Sequence, residues 1–187
     1  MASHKMIPFR RKRTGYTNYK VRLSLLKSRK PRVVVRKSQQ YIIAQLVQYK
    51  ADGDHVLVTV SSKELGKHGW NYSKKNVPAA YLTGLLFGKK ALAHAKDGIV
   101  DIGSFVSKKE SRLYAVVKGA IDAGFNVPVS EDILPSEDRV TGSHISSFAS
   151  SLDKDAAAKQ FSGYTKQNAD PTKMPEAFGK VKTALMK

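Results

Sequence analysis

The sequence predicts an α/β protein with α+β character, in which helices pack on a mixed, partly antiparallel sheet. Three runs rich in β-branched and aromatic residues follow one another over residues 32–61, separated by turn-forming segments. Two segments with helical spacing then flank a short apolar run at 99–102. The first fifty residues contain no Asp or Glu. We therefore expect a basic arm with a short helix (1–31), an α/β core (32–135) and a helical or irregular C-terminal extension (136–187).

The first fifty residues carry most of the net charge. They contain 14 of the 33 Lys and Arg residues, and the remaining residues carry 19 bases against 15 acids. Such a one-sided field repels itself and favours a polyanionic partner. A solvated arm that only aids solubility would look similar, but Tyr16, Tyr19 and Tyr41 are interleaved with the bases. Because aromatic faces beside cations suit unstacked bases, the pattern favours nucleic acid.

The arm contains one predicted helix, which starts at Thr17 and ends before Pro31. An apolar and aromatic stripe recurs at helical spacing there, formed by Tyr16, Tyr19, Leu23 and Leu26. Pro31 ends the helix because it disfavours a helical conformation at Lys30.

Three strands are predicted at 32–37, 41–49 and 55–61, joined as an antiparallel meander. Alternation assigns one set of side chains to the core: Val33, Val35, Ile42, Ala44, Leu46, Val56, Val58 and Val60. The opposite face receives Arg32, Arg36, Tyr41 and Gln45. This basic and aromatic face lies next to the arm in sequence, so we interpret it as a binding surface.

The first helix of the core is expected to begin at Asn76, as N-cap, and to run to about Lys96. It is apolar nearly all round and should be buried. Gly84 and Gly88 favour close packing against another backbone. Two lysines directly after Gly88, Lys89 and Lys90, leave phosphate contact open as a second role.

Later segments give weaker signals. Ser107 and Glu110 form a capping-box pattern that opens an amphipathic helix ended by Gly124. Residues 125–129 suggest a last strand. After Pro135 the chain is polar, with a modest helix before residue 152 and a weak one over 175–186, so we interpret this part as an appendage ordered by its neighbours.

Composition excludes several classes. The chain has no cysteine, which excludes disulfides, thiolate metal sites and cysteine nucleophiles, and suits a reducing cytoplasm. No apolar run approaches the roughly 20 residues of a membrane span. The basic start lacks the apolar stretch of a secretory signal. We expect a cytoplasmic protein without a membrane partner.

Catalytic and metal-binding motifs are absent from the sequence. The five histidines lack metal-ligand spacing, and there is no phosphate-binding loop or nucleophile elbow. We expect no catalytic residue, no metal and no cofactor. One enzyme alternative is a metal-dependent nuclease with Asp101 as a ligand, although two-metal chemistry needs several convergent acids. A general DNA-compacting protein is a second alternative.

Several blocks of the chain, in order over roughly residues 10–145, resemble a known family. They are TNY at 17–19, KPRVVVRKS at 30–38, PAAYLTGLL at 78–86, DIG at 101–103, KGAIDAG at 118–124 and LPSEDR at 134–139. Together they are similar to the universal large-subunit ribosomal protein number eighteen family, in its archaeal and eukaryotic branch.

This resemblance implies a non-enzymatic constituent of the large ribosomal subunit. Such a protein binds 5S rRNA, attaches it to the large-subunit rRNA in the central protuberance, and neighbours other ribosomal proteins. Carried over by position, the RNA-contacting residues are Arg10, Arg11, Lys12, Arg13, Tyr16, Tyr19, Arg22, Arg29, Lys30, Arg32, Arg36, Lys37, Ser38 and Gln39. The residue pattern adds Tyr41, Lys89 and Lys90.

Overall fold

The structure is a computed structural model that describes residues 6–186; Lys5, the first base of the arm, lies outside them. A four-stranded sheet has the order β3-β2-β1-β4, with β1 at Arg32–Lys37, β2 at Ile42–Tyr49, β3 at Asp54–Ser61 and β4 at Ile99–Asp101. The first three strands are antiparallel neighbours, and β4 runs parallel to β1. The predicted mixed, partly antiparallel sheet is confirmed.

Helices occupy much of the remaining described chain. They are α1 (Arg10–Arg13), α2 (Tyr19–Lys27), α3 (Val77–Ala91), α4 (Arg112–Asp122), α5 (Glu137–Thr141), α6 (Ser143–Ser151), α7 (Lys154–Gln160), α8 (Ser162–Thr165) and α9 (Met174–Met186). Short 3-10 helices lie at Ser62–His68, Glu131–Ile133 and Pro171–Lys173. The first of these directly follows β3 and begins with a capping box between Ser61 and Glu64.

The inner face of the sheet packs on α3 and α4, and the hydrophobic core lies between them. Seven of the eight predicted inward side chains are buried, but Val56 is 51% exposed. The prediction for Val56 is wrong because a β-bulge shifts the register: Leu46 pairs with Val58, whereas Val47 pairs with Val56. Leu57 is the extra residue, so the alternation of β3 reverses there and Val56 joins the outer face.

The two core helices approach each other closely through glycines. A Cβ on Gly84 would collide with the backbone carbonyl of Val116, and one on Gly88 would lie 2.6 Å from the Ala123 Cβ. Both positions therefore need glycine for packing, as predicted. Asn76 caps α3 as expected, accepting from the Ala79 N–H at 2.9 Å, but the helix ends at Ala91 and not near residue 96.

Two predictions for the second half of the core are wrong. The capping box at Ser107 does not form, because the Ser107 hydroxyl pairs with the Tyr114 hydroxyl at 2.6 Å and Glu110 adopts a φ of +53°. Helix α4 instead begins after Ser111. Residues 125–129 form no strand; a single bridge between Asp97 and Asn126 is the pairing found there.

The C-terminal extension contributes to the same core. Val140, Met174, Phe178, Val181 and Leu185 are buried in the cluster that contains α3, and the Phe178 ring lies 5.5 Å from the Tyr81 ring. The predicted helix over 175–186 is confirmed as α9. The division of the chain at residues 31 and 135 stays a prediction.

Candidate nucleic-acid interface

The N-terminal arm lies across the outer face of the sheet. Its helix α2 begins at Tyr19, two residues later than predicted, because the Asn18 side chain accepts from the Lys20 and Val21 N–H groups at 3.1 and 3.3 Å. The apolar stripe of the arm is not a buried face, since Leu23 is 59% exposed. A cleft of about 660 Å³, lined by residues of α1, α2, β1, β2 and β3, lies between the arm and the sheet.

The arm exposes its predicted contact residues. Arg10, Arg11, Lys12 and Arg13 form α1 and are all exposed. No carboxylate among residues 6–186 forms an ion pair with any of these four side chains. Tyr16, directly after α1, is 75% exposed. The structure thus places four cations, none of them paired with a described carboxylate, next in sequence to an accessible aromatic ring.

Arg22 fixes the arm to the sheet. Its two terminal nitrogens each donate to one oxygen of Asp54, both at 2.9 Å. Asp54 is the first residue of β3, so this bidentate pair joins the middle of α2 to the outer strand. A hydrogen bond from Ser104 Oγ to the Gly15 carbonyl, at 3.3 Å, adds a second attachment. Both contacts hold the arm in place by bonds within the chain.

Arg32 lies beneath the arm and is 3% exposed. Its Nη1 donates to Asp101 at 2.8 Å and its Nη2 to Asp54 at 2.6 Å. The expectation that Arg32 contributes to an exposed basic face is wrong. Arg32 does lie on the outer face of the sheet, but the arm and two carboxylates enclose its side chain. A guanidinium with this burial stabilises the arm–sheet junction, because removing it would leave the largely buried Asp101 and the partly buried Asp54 each with one charged partner fewer.

Arg36 is held at the same junction. Its Nη2 donates to Asp101 Oδ1 at 3.1 Å, and its Nη1 donates to the backbone carbonyls of Asp101 and Val35 at 2.7 and 2.9 Å. The side chain keeps 39% exposure. Asp101 also accepts the Gly103 N–H at 2.8 Å, so its carboxylate accepts three hydrogen bonds from protein donors, which indicates a structural role.

The two carboxylates are stabilised in their ionised form. The hydrogen bonds from Arg22, together with Arg32, hold the pKa of Asp54 below its usual range despite partial burial. Burial opposes ionisation of Asp101, but the charge and hydrogen bonds of Arg36 and Arg32 outweigh it, so its pKa is also lowered. Both groups therefore remain charged at neutral pH and hold the arginines firmly.

A second group of predicted residues lies at the turn between β1 and β2. Lys37 is exposed and its ammonium lies 5.1 Å from the centre of the Phe105 ring. The Ser38 hydroxyl accepts from the Tyr41 N–H at 2.9 Å and donates to its carbonyl, so it shapes the turn. Gln39 is exposed and Tyr41 is half-buried.

The remaining predicted residues differ in whether their charges are paired within the protein. Arg29 is exposed with a φ of +55°, whereas Lys30 pairs with Asp97 at 2.6 Å. Lys89 is exposed, and Lys90 pairs with Glu64 at 2.9 Å. These last two lie at the end of α3, which packs on the inner face of the sheet, so the structure does not bring them together with the arm.

Sequence reasoning missed the anchoring role of Asp54. Its signal is its position: after a stretch of fifty residues without an acid, Asp52 and Asp54 are the first two carboxylates. Arg22 and Asp54 are 32 residues apart in sequence. Their pairing follows from the tertiary packing of the arm, so no local sequence pattern predicts it.

The described part of the chain offers binding chemistry. Among residues 6–186, no three His, Asp or Glu side chains are grouped so that they could hold a metal ion. No helix in that range is both long and apolar enough to span a membrane. An α/β core that carries an ordered cationic arm is typical of polyanion-binding proteins, and the fold and the site assign the chain to this class.

Comparison with known proteins identifies the family. Residues 4–98 match the family described as ribosomal large subunit proteins 60S L5 and 50S L18. The large ribosomal subunit protein uL18 of Korarchaeum cryptofilum (strain OPF8) is 52% identical over 177 residues, which covers 94% of this chain and 91% of that protein. The chain belongs to this ribosomal protein family. It is a structural protein of the large ribosomal subunit and not an enzyme, which overturns the nuclease alternative.

Proposed function

We propose that this protein binds 5S rRNA and attaches it to the large-subunit rRNA in the central protuberance. The observation that carries the proposal is the state of the arm: it is folded onto the sheet by internal ion pairs, yet the four cations of α1 stay exposed and unpaired with any described carboxylate. Lys20, Lys27, Arg29 and Lys37 are likewise exposed and extend this basic surface. The choice of 5S rRNA follows from the family resemblance.

Phosphate contacts would supply the affinity. Each cation that neutralises a phosphate releases counterions, so binding through α1 depends steeply on salt. Because the arm is already attached by Arg22 and Asp54, less conformational entropy is lost when RNA binds than with an unfolded arm.

Aromatic residues would supply the choice of site. Tyr16 is 75% exposed and Tyr19 is 38% exposed, and the Tyr19 ring lies 6.2 Å from the Phe9 ring. These rings offer stacking surfaces to unpaired bases, which are the usual targets of sequence-specific RNA recognition. Charge and stacking thus act on the same side of the molecule.

The test compares two variants of equal charge. In the arm variant, Arg10, Arg11, Lys12 and Arg13 are all replaced by Gln. In the control variant, four exposed lysines of the C-terminal extension, Lys159, Lys166, Lys173 and Lys180, are replaced by Gln. Binding to 5S rRNA, to an unrelated RNA of equal length and to duplex DNA is measured over a range of salt concentrations.

We expect wild-type protein to prefer 5S rRNA. The arm variant should lose affinity, and its salt slope should fall by roughly 0.7 to 0.9 for each lost phosphate contact, while the control variant changes far less. Equal losses in the two variants would contradict a role for the arm. Equal binding of 5S rRNA and duplex DNA by the wild type would instead support the DNA-compacting alternative.

A further inference from the structure

A second cleft, lined by basic residues, is formed in part by the loop that follows β4. Its volume is about 900 Å³, and its other walls are the starts of α3 and α4 together with residues of α5 and α6. Six bases line it: Lys37, Lys75, Lys108, Lys109, Arg112 and Arg139. Glu110 is the single acid among its lining residues.

The charge of this second cleft is not neutralised within the described part of the chain. None of its six bases forms an ion pair with a carboxylate of residues 6–186. Arg112 donates to the Lys75 carbonyl at 3.2 Å, which holds two of the cationic segments together. Like charges held close to one another repel, so the cleft favours an anion from outside the chain.

Helix geometry adds to this field. Gly84 meets Val116, and four residues on, Gly88 meets Ala120 and Ala123, so α3 and α4 run parallel and start at the same end. The residues at their N-cap positions, Asn76 and Ser111, both line the second cleft. The positive ends of two helix dipoles therefore point to one place, where an anion stabilises them.

Asn76 caps α3, but the starts of α3 and α4 both lack an acidic partner. Neither α3 nor α4 has an acidic residue in its first turn, and the same is true of α6, whose residues His144 and Ile145 also line the cleft. The Ser111 side chain makes no capping hydrogen bond, and its oxygen is buried without a partner among the described residues. An external acceptor would satisfy the N–H groups that a cap leaves free.

We propose that this second cleft binds the phosphodiester backbone of RNA. The cations are spread around an open cleft of about 900 Å³, a distribution that suits several phosphates in a row better than one small anion. The inference rests on the proposed RNA-binding function and adds a second surface to it. Ser104 and Phe105 line both clefts, so RNA held by the arm passes directly beside the second surface.

The test uses full-length protein and four substitutions. Lys75, Lys108, Lys109 and Arg139 are replaced by Gln, because all four are exposed and their charged groups make no hydrogen bond to described residues. The control variant is again Gln at Lys159, Lys166, Lys173 and Lys180. Binding is measured first to 5S rRNA alone, and then between the preformed 5S rRNA complex and large-subunit rRNA.

The proposal is supported if the cleft variant loses affinity by about tenfold or more in either measurement and its binding depends less steeply on salt than that of the control variant. The measurement that shows the loss tells which RNA occupies the cleft. Affinities equal to those of the control variant in both measurements would overturn it. Thermal melting of each variant establishes that the fold is intact.

Hydrogen exchange on the wild type gives an answer that does not depend on variants. RNA should protect the backbone amides of residues 104–112, and polyglutamate is the competing probe. Protection by polyglutamate but not by RNA would overturn the proposal in favour of an acidic protein segment. If the wild type bound 5S rRNA no better than an unrelated RNA, the proposed function would fail. The cleft proposal would fail separately if neither 5S nor large-subunit rRNA protected these amides.

Discussion

Basic residues serve opposite purposes in helix α1 and at the junction between α2 and the sheet. Arg22, Arg32 and Arg36 are paired with Asp54 or Asp101 at distances of 2.6 to 3.1 Å. The basic residues of α1 have no such partner among the described residues and are exposed. Two carboxylates therefore divide the basic residues of this region into a set that stabilises the structure and a set that is free to bind.

This difference shows why a net charge does not identify a ligand surface. All seven residues belong to one acid-free stretch of sequence, and all seven were predicted to contact RNA. Only tertiary packing reveals that Asp54, from beyond the stretch, reaches back to Arg22 and Arg32. An arginine with two carboxylate partners has few donors left for phosphate.

The largest effect on stability is expected for the buried member of the paired set. Replacing Arg32 by Met leaves Asp101 and Asp54 each short of one partner in a largely buried junction, and should lower the free energy of unfolding by about 3 kcal/mol. Urea unfolding measures this change. The matched control is Arg29→Met, an exposed change that should stay within about 0.5 kcal/mol. Similar values for both variants would contradict the division into two sets.

Stability should also fall in acid because of the same two carboxylates. The pKa values of Asp54 and Asp101 are lowered in the folded protein, so their contribution is fully present above the unfolded value of about 3.9 and is lost as pH falls through the folded values. We expect melting temperatures to drop below about pH 4. A variant with Asp54→Asn should show a shallower drop, and an unchanged pH profile would argue against this coupling.

A smaller effect, on RNA affinity, is expected from Tyr16, the exposed aromatic residue that follows α1. Tyr16→Ala removes a side chain that is 75% exposed, so the free energy of unfolding should not change measurably. Affinity for 5S rRNA should fall by about 1 kcal/mol if a base stacks on the ring. Tyr49→Ala is the control, because Tyr49 is 54% exposed at the far end of β2. Equal affinities of the two variants would exclude stacking on Tyr16.

The fold was largely predictable because local patterns determine it. The alternation of apolar and basic residues predicts β1 at 32–37, which are its observed bounds, and Asn76 marks the start of α3. Errors arose where a distant residue decides the local structure. Val56 was misplaced by a bulge in the pairing of β2 with β3, and the Ser107 capping box was lost to a bond with Tyr114.

The candidate site was predictable only in part. The sequence located the basic region, and α1 exposes all four of the bases named there. It did not separate these from Arg32, which the arm covers, nor did it indicate that Lys75 and Arg139, 64 positions apart, line one cleft. Both facts depend on how helices pack, which composition and spacing do not encode.

The most direct test of the account is the affinity of the Asp54→Asn variant for 5S rRNA. Asp52→Asn is the matched control, because it makes the same charge change two residues away on a side chain that is 76% exposed and forms no ion pair with a described arm residue. If charge alone mattered, removing either acid would tighten binding to RNA. We expect Asp54→Asn to weaken binding by about fivefold, or about 1 kcal/mol, because Arg22 loses the partner that holds the arm in place. Binding by Asp54→Asn as tight as that of Asp52→Asn, or tighter, would contradict it.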